Sequence, residues 1–240
     1  MKPAKSIGRM VGVLLIAQML GGFLVNFALL GPVISTPPGF LVNAAPNSLQ
    51  ISLSVLIGLV TGALSLGIAI AALPLLRRHS SAMALWFVSL ATVGLSLAVI
   101  ENSTVMSLLS LSQAYANASA ADANAFEMLR GVVASSRNWA HYTHLLVEGA
   151  TFLVFYGVLY RYALIPRTLA AFGLIAVALQ MTAVAMPLFG YRIVMLMIAP
   201  MGLAHLALAI WLTIKGFEER TPARPADTLL EPSARMSNQV

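Results

Sequence analysis

The chain has 240 residues, of which 59% are apolar and 9% charged, with a mean hydropathy of +0.87. Soluble domains carry roughly 25% charged residues, so this composition excludes an ordinary soluble enzyme, a nucleic-acid-binding protein and a disordered regulator. The net charge of +6 comes from Lys and Arg in short segments between apolar runs, where they set orientation in a membrane and do not form a phosphate-binding stripe. With no cysteine, disulfides, thiolate metal sites, iron–sulfur clusters and cysteine nucleophiles are excluded.

A membrane-crossing helix needs about 20 mostly apolar residues. Six stretches satisfy this, at about 7–30, 51–75, 82–109, 138–162, 169–189 and 193–217. None alternates as a membrane β-strand would. The expectation is an all-α, polytopic six-helix bundle over 1–217, followed by a disordered cytoplasmic tail over 218–240 containing Pro222, Pro225 and Pro232. Placing both termini in the cytoplasm puts eleven basic residues inside and leaves only Arg130, Arg137 and Arg192 outside, which favours that orientation. The first span begins like a signal peptide. The nearest small-residue site, Val42-Asn43-Ala44, lies well past its apolar run, so the span reads as an uncleaved anchor.

Two outward segments follow from the breakers. Residues 35–50 carry Pro37, Pro38, Gly39 and Pro46 and read as a short cap over the outer mouth. Residues 113–136 read as a loop with a surface helix over 122–131. Pro74, Pro187 and Pro200 are candidate kinks. The group Met195, Met197 and Met201 reads as core packing rather than a soft-metal site. No inverted repeat of the transporter type is visible.

Ionisable groups inside apolar spans are costly, about 2.5–3.5 kcal/mol at a helix centre, which makes them site candidates. In the fourth span Arg137, His141, His144, Glu148 and Thr151 follow steps of four and three, which places them on one helical face. At about 1.5 Å per residue, Glu148 lies roughly 15 Å below Asn138, and His205 in the sixth span lies roughly 18 Å deep. Glu101 in the third span falls level with His141. The candidate set for ligand binding or proton handling is Glu101, His141, His144, Glu148 and His205. It is expected to line a cavity opening outward, with Glu148 and His205 in direct or water-bridged contact at its base. Asn26, Gln18 and Gln180 add neutral polar groups. Three histidines and two carboxylates also suit a divalent metal such as Zn(II), with His141, His144 and His205 as candidate ligands, although no HExxH motif is present. The alternative is that these groups only pair across helices and hold the bundle together.

The run Tyr160-Arg161-Tyr162-Ala163-Leu164-Ile165-Pro166-Arg167-Thr168-Leu169-Ala170, the later Gly173, the closing run from Leu206 to Gly216, and Arg9 with Gly12 resemble a bacterial membrane family called domain of unknown function 4386. The resemblance extends nearly to Phe217. It implies a six-helix protein of the bacterial inner membrane and supplies no activity. The family's closing helix often carries Glu where this chain has His205. Three functional classes remain: a protein handling a small ligand, ion or proton; a non-catalytic accessory subunit of a larger membrane complex, or a homo-oligomer; and an intramembrane metal-dependent hydrolase with Glu148 as base. Contact with the lipid bilayer is common to all three, and nucleic acid to none.

Overall fold

The computed structural model describes residues 3–218. The proposed tail begins at its last described position, and the remainder of that tail lies outside the described residues. Among the described residues there are helices and turns and no strand.

Six helical spans correspond to the six apolar runs. The first consists of α1 (Ala4–Phe23), a π-helical turn (Leu24–Leu29) and α2 (Leu30–Ser35). A four-residue helix, α3 (Phe40–Asn43), precedes α4 (Ser48–His79), α5 (Ser81–Ala116) and α6 (Ala123–Arg161). The chain closes with α7 (Arg167–Ala185), a 3-10 turn (Met186–Phe189) and α8 (Met195–Ile214). Each long helix packs on its neighbour in sequence, and α8 returns to α1, so the six form a closed ring. Large apolar side chains such as Leu20, Phe27, Val60, Trp86, Ile175 and Leu203 lie exposed around its outside. Such a surface belongs in hydrocarbon. The protein is a multi-pass membrane protein.

Several local features explain the path of the chain. Pro32 has no N–H to donate to the carbonyl four residues back, and the Gln50 side chain donates to Ala28 O and Leu29 O instead, at 3.4 and 2.7 Å. In the π turn, Leu30 N–H bonds Val25 O, five residues back. Gly31 follows from this widening, because a Cβ there would collide with Asn26 O. Between α4 and α5 the chain turns within one residue. Ser80 caps α5 by accepting from Met83 N–H, while Arg77, Arg78 and His79 sit favourably at the C-terminal end of α4.

The ring has two unlike halves. At the end carrying Arg9, Arg77, Arg161, Arg167 and Lys215, a dense core joins Ile7, Leu15, Leu76, Phe87, Phe155, Tyr156, Ile165 and Leu208. Phe87 stacks on Phe155 with 4.8 Å between ring centroids. The opposite half holds only smaller apolar clusters around Ile51 and Phe40. The described chain ends meet at the basic end, where Gly8 approaches the Gly216–Phe217 backbone.

The segment between the third and fourth spans differs from expectation. Helix α5 continues to Ala116 and α6 already begins at Ala123, so 117–122 is the whole connection; it holds a 3-10 turn (Ala120–Asp122), and 123–131, expected as part of a surface helix, are the first turns of α6. Tyr115 packs edge-on against Phe126 at 5.7 Å, and Leu108, Phe40 and Val133 join the same cluster. Helix–helix contact sustains the extension where hydropathy falls. At 36 and 39 residues, α5 and α6 are about 54 and 58 Å long, well beyond a hydrocarbon core of about 30 Å. The 35–50 segment packs onto this extension: Ser112 Oγ donates to Leu41 O at 2.9 Å and accepts from Ala45 N–H at 2.8 Å.

Candidate functional site

The 3–4 spacing of α6 turns Arg137, His141, His144, Glu148 and Thr151 toward α5 and α1. Glu101 on α5 is the centre of the arrangement. His141 Nδ1 lies 2.7 Å from its Oε1 and His144 Nδ1 lies 2.7 Å from its Oε2. An ionised carboxylate only accepts, so both Nδ1 atoms carry protons and each ring keeps Nε2 for a further partner. These distances are those of charge-assisted bonds. The three side chains are 16–23% exposed, enough shielding for the bonds to be weakly screened. Arg137 NH2 approaches Glu101 Oε1 only to 3.8 Å, because both carboxylate oxygens already hold an imidazole.

One helical turn past His144, Glu148 accepts a 3.3 Å bond from Gln18 Nε2 on α1. Gln18, Thr61, Ser65, His144, Glu148 and Thr151 border a recess of about 30 Å³, the space of a single water molecule. Polar groups therefore run from Arg137 through Glu101 and the two histidines to Glu148 and Gln18. Below this level lies the dense apolar core.

His205 stands apart, with no direct hydrogen bond to Glu148. Its Nδ1 lies 3.1 Å from Met201 O in its own helix, and its Nε2 is buried without a hydrogen-bond partner. The ring meets Phe152 at 4.0 Å and Tyr156 at 6.1 Å between centroids. These residues are one and two turns beyond Glu148 on α6. Helices α6 and α8 do approach each other, but at a deeper level than Glu148, whose side chain turns to α1. Among the described residues no group of three or more His, Asp or Glu side chains is arranged to hold a metal ion. The three histidines do not converge, since two are engaged by Glu101 and the third sits among aromatic rings.

Sequence reasoning passed over two features. Thr61 and Ser65, one turn apart on α4, border the recess, a signal that their i, i+4 spacing carries. Tyr156 lies eight residues after Glu148 on the same face. Its hydroxyl is buried without a partner, as is His205 Nε2.

The family model described as domain of unknown function (DUF4386) matches residues 10–216. The chain belongs to the DUF4386 family. No curated protein and no solved structure matches it. In this DUF4386 chain the matched region contains every group of the site, from Gln18 on α1 to His205 on α8. The α6–α7 connection that carries the resemblance, Tyr162–Pro166, lies at the opposite end of α6 from the Glu101 cluster. Its Ala163, Leu164 and Ile165 are buried, and Leu164 O accepts from Glu218 N–H at 2.8 Å. That connection serves packing, and the polar stripe is a separate feature.

Proposed function

We propose that this DUF4386 protein binds protons, together with a small ligand or ion, at the cluster of Glu101, His141, His144 and Glu148, reached through a polar cavity from the outer side of a bacterial inner membrane. The observation carrying this reading is one carboxylate holding two imidazoles at 2.7 Å, with a second carboxylate one turn further in. Histidine is the side chain whose ordinary titration falls at physiological pH. A shared carboxylate makes the charge of one ring depend on that of the other. The apolar core below Glu148 favours a site that loads and unloads from one side over a path through the membrane. His205 takes part only by closing the lower end among Phe152 and Tyr156.

Proton uptake by the purified protein in lipid nanodiscs, read with a pH indicator after a pH jump, tests this. The native chain should take up protons that Glu101→Gln does not. Equal uptake by the two proteins would reduce the cluster to a structural clasp.

The proposal places both termini in the cytoplasm, with 1–217 as the membrane domain and the residues after it as a cytoplasmic tail, on the grounds of the basic-residue distribution. Reporter fusions after Phe217 and within 35–50 should report opposite faces of the membrane. The same face for both would overturn the topology.

The second reading is an accessory subunit or homo-oligomer. Met128, Leu129 and Val132 are exposed on the part of α6 that extends beyond bilayer length, a surface suited to a protein partner. Co-purification in mild detergent separates this reading from the first.

A further inference from the structure

Beside the cluster, a pocket of about 180 Å³ lies between the π turn of the first span and α6, bordered by Asn26, Gly31, Ile34, Ser35, Arg137 and His141. Its shape comes from the backbone. The π turn widens the helix at Asn26, and Gly31 keeps the approach to Asn26 O open where a Cβ would fill it. π turns of this kind recur at functional sites.

Arg137 is the one fixed cation bordering the pocket, and its donors are poorly used. NH2 has only the 3.8 Å approach to Glu101, NH1 a 3.5 Å bond to Asn138 Oδ1, and Nε is buried with no partner. Glu101 cannot swing to form a forked pair with the guanidinium without releasing His141 or His144. No carboxylate borders the pocket, and Glu127, earlier on α6, is paired with Arg130 at 2.7 Å. The guanidinium thus borders a space whose lining holds no carboxylate, and its nearest anion, Glu101 at 3.8 Å, lies outside that lining. His141, with Nδ1 committed to Glu101, keeps Nε2, and the Asn26 amide has one N–H beyond its bond to Gly22 O. Arg137 stands 24 residues before Arg161 on one continuous helix, about 36 Å away, which is the headgroup depth of the far leaflet.

The geometry points to this pocket as a binding site for a phosphate-class oxyanion, with Arg137 as the principal donor, the Asn26 amide N–H as a second, and His141 Nε2 accepting from a protonated phosphate oxygen. Phosphate oxygens match the planar fork of arginine. The ligand is either free phosphate or the phosphate of a lipid headgroup. This inference shares His141 with the proton reading and differs from it in needing Arg137 and the π turn and not His144 or Glu148.

The test measures thermal unfolding and phosphorus-31 NMR of the full chain in phosphate-free detergent. Three additions are compared: inorganic phosphate, phosphatidic acid vesicles against phosphatidylcholine vesicles, and acetate at equal ionic strength. Stabilisation by inorganic phosphate identifies the free anion. Stabilisation by phosphatidic acid alone identifies the lipid source. Arg137→Gln should weaken binding roughly tenfold or more, the scale of one lost charge-assisted hydrogen bond, whereas Arg130→Gln should leave it unchanged. Ile34→Trp fills the pocket from the opposite wall and should abolish binding with Arg137 intact, which covers the case where Arg137→Gln fails to fold. No response to either phosphate source, an equal response to acetate, or full binding by both pocket variants would overturn the assignment. Proton uptake that is lost in Glu101→Gln but kept in Ile34→Trp separates failure of that reading from failure of this one.

Discussion

Gly8→Ala is expected to unfold at a markedly lower temperature than the native chain, with a loss of about 3 kcal/mol or more. A Cβ at Gly8 would overlap Phe217 N and fall 2.7 Å from both Cα and C of Gly216. Each of these is a backbone atom, so no side-chain rotation relieves the contact. Gly216 itself has φ of +76°, a left-handed conformation that fixes the course of the chain as it leaves α8. Overpacking a well-filled site costs about 1–3 kcal/mol where side chains can move, and here helices α1 and α8 must separate. Their contact closes the ring, so separation also loosens Ile7, Leu212 and Phe217, all buried in the main core. Gly22→Ala is the matched control on the same helix: its Cβ meets nothing within 4 Å, and helix propensity favours Ala by up to about 1 kcal/mol. Thermal unfolding of both variants in detergent provides the comparison. Equal melting of Gly8→Ala and the native chain would show that α1 and α8 are not in backbone contact.

The six spans are legible in the sequence because a membrane helix must be long and apolar, and little else competes with that requirement. Their ends are not. The Ser- and Asn-containing stretch after Leu109 and the Ala-rich stretch before Asn138 fall in hydropathy, yet both remain helical. They pair with each other through Tyr115, Phe126 and Val133, and such pairing is invisible to a residue-by-residue scale. The π turn was equally hidden, although Pro32, Gly31 and Gln50 each contribute to it.

The site divides in the same way. The α6 stripe follows from its 3–4 spacing, and the depth of Glu101 follows from counting along α5. Counting gives height along a helix and says nothing of direction around the bundle axis. It also starts from an assumed helix end, and α6 begins fifteen residues before Asn138. Glu148 therefore turns to Gln18, while His205 finds Phe152 and Tyr156 one and two turns further along. A contact between two helices that are far apart in sequence depends on both angles at once.

The two carboxylates rank differently by depth and by contact. Depth alone makes Glu148 the more sensitive position, being further from water. The contacts make it Glu101. In Glu101→Ala, the protons on His141 and His144 Nδ1 lose their acceptors together, and Arg137 loses its nearest anion. Breaking a buried ion pair by removing one partner costs about 3–5 kcal/mol. With the Glu101 side chain 16% exposed, some water reaches the exposed face, so a loss of about 3 kcal/mol is expected. Glu148→Gln retains an amide oxygen that still accepts from Gln18, and hydrogen bonds between membrane helices average about 0.6 kcal/mol; a change within about 1 kcal/mol of the native chain is expected. Glu101→Gln should fall between them, since its amide can accept from one imidazole while its NH2 faces the other. A double-mutant cycle of Glu101→Ala with His144→Ala isolates the pair and should give a coupling of about 1–3 kcal/mol. If Glu148→Gln proves the more damaging variant and the cycle shows no coupling, then the carboxylate that organises this half of the bundle is Glu148, and the doubly held Glu101 is incidental to it.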